Sequence, residues 1–192
     1  MAVAVPAALI ELGFLKVTGN FNVPPSLITF LNIFIGVAVI EEILKYLVVK
    51  EKVLKSPEFD EPVDAMLYMI ISALGFAALE NLLIFLSPQV FSLEIEETFI
   101  LVVFRFVSAT FLHALASGTL GFFLALSFFN KKRGGFFLFW GLLTAIALHG
   151  LYNFSIIEID GALKFLIPLI IIVGLAIFVF WGFRKLKQTA ST

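Results

Sequence analysis

A chain of 192 residues that is 61% hydrophobic and only 14% charged falls far from a soluble domain, where about 25% of residues carry charge, and its mean hydropathy is +1.09. A formal net charge of −1 leaves no basic face for nucleic acid. The absence of cysteine excludes disulfides and thiolate chemistry, so any metal must be held by His, Glu, Asp or Asn.

A membrane-spanning helix needs about 20 mostly apolar residues. In chain order six stretches approach or meet that length: 2–17, 26–50, 62–86, 97–129, 135–157 and 162–183. They predict an all-α polytopic bundle of about six transmembrane helices, forming a single integral-membrane domain over residues 1–192. The first stretch lacks a positive leading region and carries Pro6 and Glu11. It therefore reads as a retained helix, short enough to be tilted, interfacial or incomplete. The fourth, at 1.5 Å per residue, would reach about 50 Å and must tilt, bend or project.

The connectors set the orientation. Lys50, Lys52 and Lys55 follow the second stretch, Lys131, Lys132 and Arg133 the fourth, and Arg184, Lys185 and Lys187 the sixth. The opposite connectors, 17–25, 87–96 and 158–161, are neutral or acidic. The positive-inside rule then puts both termini in the cytoplasm. Residues 51–61, with Pro57 and mixed charges, read as a cytoplasmic loop or a short interfacial helix.

Against this apolar background the embedded polar residues stand out, since each charge near mid-membrane costs about 2.5–3.5 kcal/mol. The second stretch holds Glu41, Glu42 and Lys45. Glu41 and Lys45 share a helix face one turn apart, with Glu42 beside them. Two neighbouring carboxylates in a low dielectric need a cation or a metal to remain ionised. The third stretch carries Asp64 at its start, where an acid suits the helix dipole. Deeper in that stretch lies Glu80, followed by Asn81, with no basic residue in the same helix to balance it. Arg105 and His113 lie on the fourth stretch, and Arg105 suits a pairing role with an embedded carboxylate. His149 and Asn153 are one turn apart on the fifth and present imidazole and carboxamide together.

Two histidines with one or two glutamates form a typical zinc ligand set with room for water. A metal-free arrangement, with a glutamate activating water while His149 and Asn153 stabilise an oxyanion, is equally sound chemically. The spacing leaves both open. Depth along the helices differs among these residues by about 10–15 Å, so their convergence requires tilt.

The ordered set of Glu41-Glu42-x-x-Lys45, Gly75-Phe76-x-x-x-Glu80-Asn81, Arg105 with His113 eight residues later, and His149-x-x-x-Asn153 resembles the PrsW family. That family belongs to the superfamily of CAAX prenyl endopeptidases and bacteriocin-immunity proteins. The motifs occupy four spans within about residues 36–155. The resemblance implies an intramembrane endopeptidase, usually classed as a metalloprotease, acting on membrane-associated protein or peptide substrates in the bilayer. Carried over, Glu41 is the general base, Glu42 the second carboxylate and a further possible ligand, and Asn153 an oxyanion donor. Glu80, His113 and His149 become ligands of a zinc ion, while Lys45, Asp64, Asn81 and Arg105 support them. Two other functions fit the embedded charges: an ion- or proton-coupled transporter, which calls for repeats or helices broken at midplane, and a non-catalytic scaffold or immunity protein of the same superfamily. No internal repeat is visible.

Overall fold

The computed structural model describes residues 3–92 and 94–190, and every regular element among them is helical. Helix α1 (Ala4–Thr18) is followed by α2 (Pro25–Lys52), α3 (Pro62–Phe85), α4 (residues 95–129), α5 (Gly134–Glu158) and α6 (Leu163–Ala190). A single turn, Pro88–Phe91, links α3 to α4. Five of these helices are long and apolar enough to cross a membrane. Helix α1 has 15 residues, about 22 Å of rise, and falls short of a hydrocarbon core about 30 Å thick.

Local chemistry sets the helix starts. Pro25 and Pro62 occupy first-turn positions, where a missing N–H costs nothing and the fixed φ suits a helix. Asp64 and Glu61 form a capping box at the start of α3, with Asp64 Oδ2 accepting from the Glu61 amide at 2.9 Å. Asp64 is thereby a structural residue at the end of the bundle.

Helix α4 is the axis of the bundle. In its apolar window 61% of residues are buried, against 22–28% in the other spanning helices. The buried stripe of α3 (Ala65, Met66, Met69, Ala73, Phe76, Ala77) recurs at helical spacing and packs along it. Gly121 permits the close approach, because a Cβ there would meet Met66 Cα at 2.6 Å and the Ala65 carbonyl oxygen at 2.7 Å. One apolar cluster joins Val49 of α2, Met66 of α3, Leu120 and Ala125 of α4, and Leu186 of α6. The basic residues closing α2 and α6 and those following α4 consequently gather at one end. Outward faces carry large apolar side chains such as Ile177 and Phe180, the surface expected in lipid.

Two stretches depart from ordinary α geometry. Residues Asn32–Val39 of α2 and Arg105–Ala109 of α4 are π-helical, with i→i+5 hydrogen bonds. They precede Glu41 and His113 respectively. Helix α1 lies against this region, tucking Ala4 and Ala7 beside Phe76, Ile40 and Leu44. Its end is tied down by the Thr18 hydroxyl, which donates to Asn32 Oδ1 at 2.6 Å.

Candidate metal centre

Four helices bring their polar residues to one buried point. On α2, the Lys45 ammonium donates to Glu41 Oε2 at 3.1 Å and to Glu42 Oε1 at 2.8 Å. These are the i+4 and i+3 contacts that helix geometry provides. The same nitrogen lies 2.8 Å from His113 Nδ1 of α4 and 4.5 Å above the ring of Phe76 on α3. Lys45, Glu41 and Glu42 are all at most 2% exposed, so the ammonium neutralises carboxylates that are almost wholly buried.

Each histidine is braced by a carboxylate. His113 Nε2 lies 2.8 Å from Glu80 Oε2. His149 Nδ1 lies 3.0 Å from Glu42 Oε1. A carboxylate accepts, so the ring proton belongs on the nitrogen facing it, and the other nitrogen of each ring is left as a lone pair. The His113 lone pair, on Nδ1, accepts from Lys45 Nζ at 2.8 Å, and Glu41 Oε2 lies 3.6 Å from His113 Nδ1 and 3.9 Å from His149 Nε2. The two rings stand nearly perpendicular at 88°, with centroids 4.9 Å apart.

Glu41, His113 and His149 each offer one donor atom within 4.8 Å of the others, and all three residues are buried. Two imidazole nitrogens and a carboxylate oxygen match a known catalytic zinc set with one position open. The Lys45 ammonium lies against the same donor set, at Glu41 Oε2 and His113 Nδ1. The donor chemistry therefore fits a metal.

Glu80, expected among the ligands, lies outside that group of three. Its Oε1 accepts from Arg105 Nη2 at 2.8 Å, and its Oε2 faces His113. Asn153 lines a cavity of about 150 Å³ together with Glu80, Arg105 and His113. Asn81 donates to Thr110 Oγ1 at 3.2 Å and ties α3 to α4. Asp64 caps α3 and takes no part in the cluster.

Three contributors were given no role at the site by the reading of the sequence. Ser117 is buried and donates to Glu42 Oε2 at 3.0 Å; it sits one turn beyond His113, so the i+4 spacing was a usable signal. Phe76, one turn before Glu80, forms the apolar floor under Lys45. Glu11 of α1 interacts electrostatically with Glu80 and Lys45.

Fold and site together define a multi-pass membrane protein with a buried carboxylate–histidine centre. The chain belongs to the PrsW family: the family model described as "PrsW family intramembrane metalloprotease" matches residues 1–182. It is 32% identical over 157 residues to Protease PrsW of Geobacillus kaustophilus (strain HTA426), covering 81% of this chain and 63% of that protein. The Protease PrsW of Bacillus subtilis (strain 168) is 28% identical over 165 residues, 85% of this chain and 69% of that protein. For that of Clostridioides difficile (strain 630), identity is 30% over 143 residues, 72% of this chain and 58% of the relative. The chain thus spans about three-fifths of the length of the first of these relatives. No solved structure matches.

Proposed function

We propose that this chain is a zinc-dependent intramembrane endopeptidase cleaving membrane-protein substrates, with both termini cytoplasmic. The observation that carries the reading is the convergence of Glu41, His113 and His149 within 4.8 Å in a buried position. Family membership and the names of the relatives support proteolysis. The gathering of the basic connectors at one end supports the orientation.

Glu41, His113 and His149 would hold the ion. Zinc suits two imidazoles and a carboxylate, and when bound it supplies a Lewis acid that polarises a scissile carbonyl and acidifies water. Glu80 and Glu42 fix the ring orientations of His113 and His149, so Glu80 acts behind a ligand rather than as one. Such partners tune ligand basicity and geometry. Glu41 serves twice: one oxygen completes the ligand set, and the carboxylate accepts the proton of an attacking water, the base role its motif position implies. Lys45 holds the paired carboxylates of Glu41 and Glu42 in place. Asn153, on the wall of the adjoining cavity, offers its amide N–H to the carbonyl oxygen as negative charge develops.

The test is metal analysis of the purified full chain beside cleavage of a fluorogenic membrane peptide in nanodiscs. Stoichiometric zinc and cleavage are expected in the parent, with both lost in His149→Ala and Glu41→Gln while the helical circular-dichroism spectrum persists. Undiminished cleavage by the metal-free protein would sink the zinc assignment, and undiminished cleavage by Glu41→Gln would sink the assignment of Glu41.

A further inference from the structure

The lone pair on His113 Nδ1 is claimed twice. The ring proton sits on Nε2, which faces Glu80 Oε2 at 2.8 Å, so a neutral imidazole has one acceptor nitrogen left, Nδ1. That nitrogen lies 2.8 Å from Lys45 Nζ, and an ammonium can only donate. It is also the nitrogen turned to Glu41, 3.6 Å from Oε2, hence the one His113 would give to an ion held with Glu41 and His149. A single lone pair cannot accept a proton donor and ligate a metal at the same time.

Neither residue can sidestep the conflict. Glu80 holds His113 from behind and is itself fixed by Arg105 Nη2 at 2.8 Å, so turning the ring to offer Nε2 would break that support. Lys45 is 0% exposed, and its four-carbon stem keeps the charged head inside the bundle. Ammonium and ion can therefore hold His113 Nδ1 only by turns.

The same residues give Lys45 a place to withdraw. Glu42 Oε1 lies 2.8 Å from Nζ, and Glu42 is fixed from two other helices, by the Ser117 hydroxyl of α4 and by His149 Nδ1 of α5, each at 3.0 Å. The ring of Phe76 lies 4.5 Å from the ammonium, and an aromatic face attracts a cation. Glu41 has acceptor capacity beyond one bond, so it can keep Lys45 as well. Only the contact with His113 has to be exchanged.

We propose that Lys45 is a tethered competitor for the metal: its ammonium holds His113 Nδ1 until an ion takes that nitrogen, and the exchange sets how tightly the site binds metal. This deepens, and rests on, the zinc reading above. Breaking a charge-assisted hydrogen bond before an ion can bind lowers affinity by about 10–100-fold.

The test uses the full chain in nanodiscs, isotope-labelled at the side-chain nitrogens of lysine and histidine. The chain has two histidines, so the ring signals are assigned by difference with His149→Ala. In excess chelator, NMR should show a through-space contact between the Lys45 ammonium and His113 Nδ1, and stoichiometric zinc should abolish it. In a competition titration against a chromophoric chelator, Lys45→Met should bind zinc about 10–100-fold more tightly than the parent. The NMR measurement on the parent stands whether or not Lys45→Met folds. It also separates exchange from simple charge repulsion, which would tighten zinc binding in Lys45→Met but leave the ammonium on Nδ1 in the zinc-loaded parent. A contact missing in chelator, a contact that survives stoichiometric zinc, or equal zinc affinity in parent and Lys45→Met overturns the competition. In those cases the zinc site itself stands if His149→Ala still loses the metal. Zinc bound by neither protein removes the zinc reading and the competition with it.

Discussion

Replacing Lys45 by Met removes the one cation that touches both carboxylates of α2 while keeping similar length and an apolar stem. In the parent, Nζ lies 3.1 Å from Glu41 and 2.8 Å from Glu42, and none of the three residues exceeds 2% exposure. Removing one partner from a buried ion pair costs about 3–5 kcal/mol, because the remaining charge is stranded without water. A typical folded domain has only about 5–15 kcal/mol to lose. Lys45→Met should therefore unfold at markedly lower denaturant, measured by circular dichroism during SDS titration in mixed micelles with a chelator present. Adding zinc should restore part of the loss, since at free metal about 100-fold above Kd mass action contributes about 2.7 kcal/mol. Combining Lys45→Met with Glu42→Gln should cost less than the sum of the two, with a coupling of about 0.5–3 kcal/mol for contacting groups. A variant within about 1 kcal/mol of the parent in chelator would refute the reasoning.

Glu80→Gln weakens the acceptor behind His113 Nε2 and should reduce zinc affinity about 10–100-fold in a competition titration; an unchanged affinity removes Glu80 from the site. Gly121→Leu forces a side chain into the contact with Met66 Cα at 2.6 Å, and overpacking of this kind should lower stability by about 1–3 kcal/mol or more, read as a lower melting temperature in detergent. Asp64→Ala removes the capping box of α3 and should cost about 0.5–2 kcal/mol of stability with turnover per folded molecule preserved; a loss of turnover alone would place Asp64 in the chemistry. Treatment with 1,10-phenanthroline should abolish peptide cleavage and added zinc should return it, whereas persistent cleavage in excess chelator contradicts the metal assignment.

The bundle was legible because lipid imposes length. The six apolar stretches and the observed helices agree to within a few residues at most ends, and the longest, 97–129, contains a π segment. The polar load was legible for the same reason: Glu41, Glu42, Lys45, Glu80, His113 and His149 had no apolar explanation. What the sequence withheld was rotation about the helix axes. Glu41 and Glu80 are both embedded carboxylates near a histidine, and only the relative phase of α2, α3 and α4 decides which one meets the lone pairs and which one meets a ring N–H. That phase depends on Asn32–Val39 and Arg105–Ala109, and their composition, mostly apolar with no proline, gives no sign of a wider turn.

Those wider turns have a consequence for how this chain tolerates insertion and deletion. A π segment accommodates about one residue more than α geometry would over the same path. Deleting any single residue between Asn32 and Val39 lets the backbone revert to α-helix and turns everything downstream by about 100°, carrying Glu41 and Glu42 off the axis they share with the histidines. The number of residues in that stretch is what sets the aim, so the segment acts as a spacer whose information lies in its length.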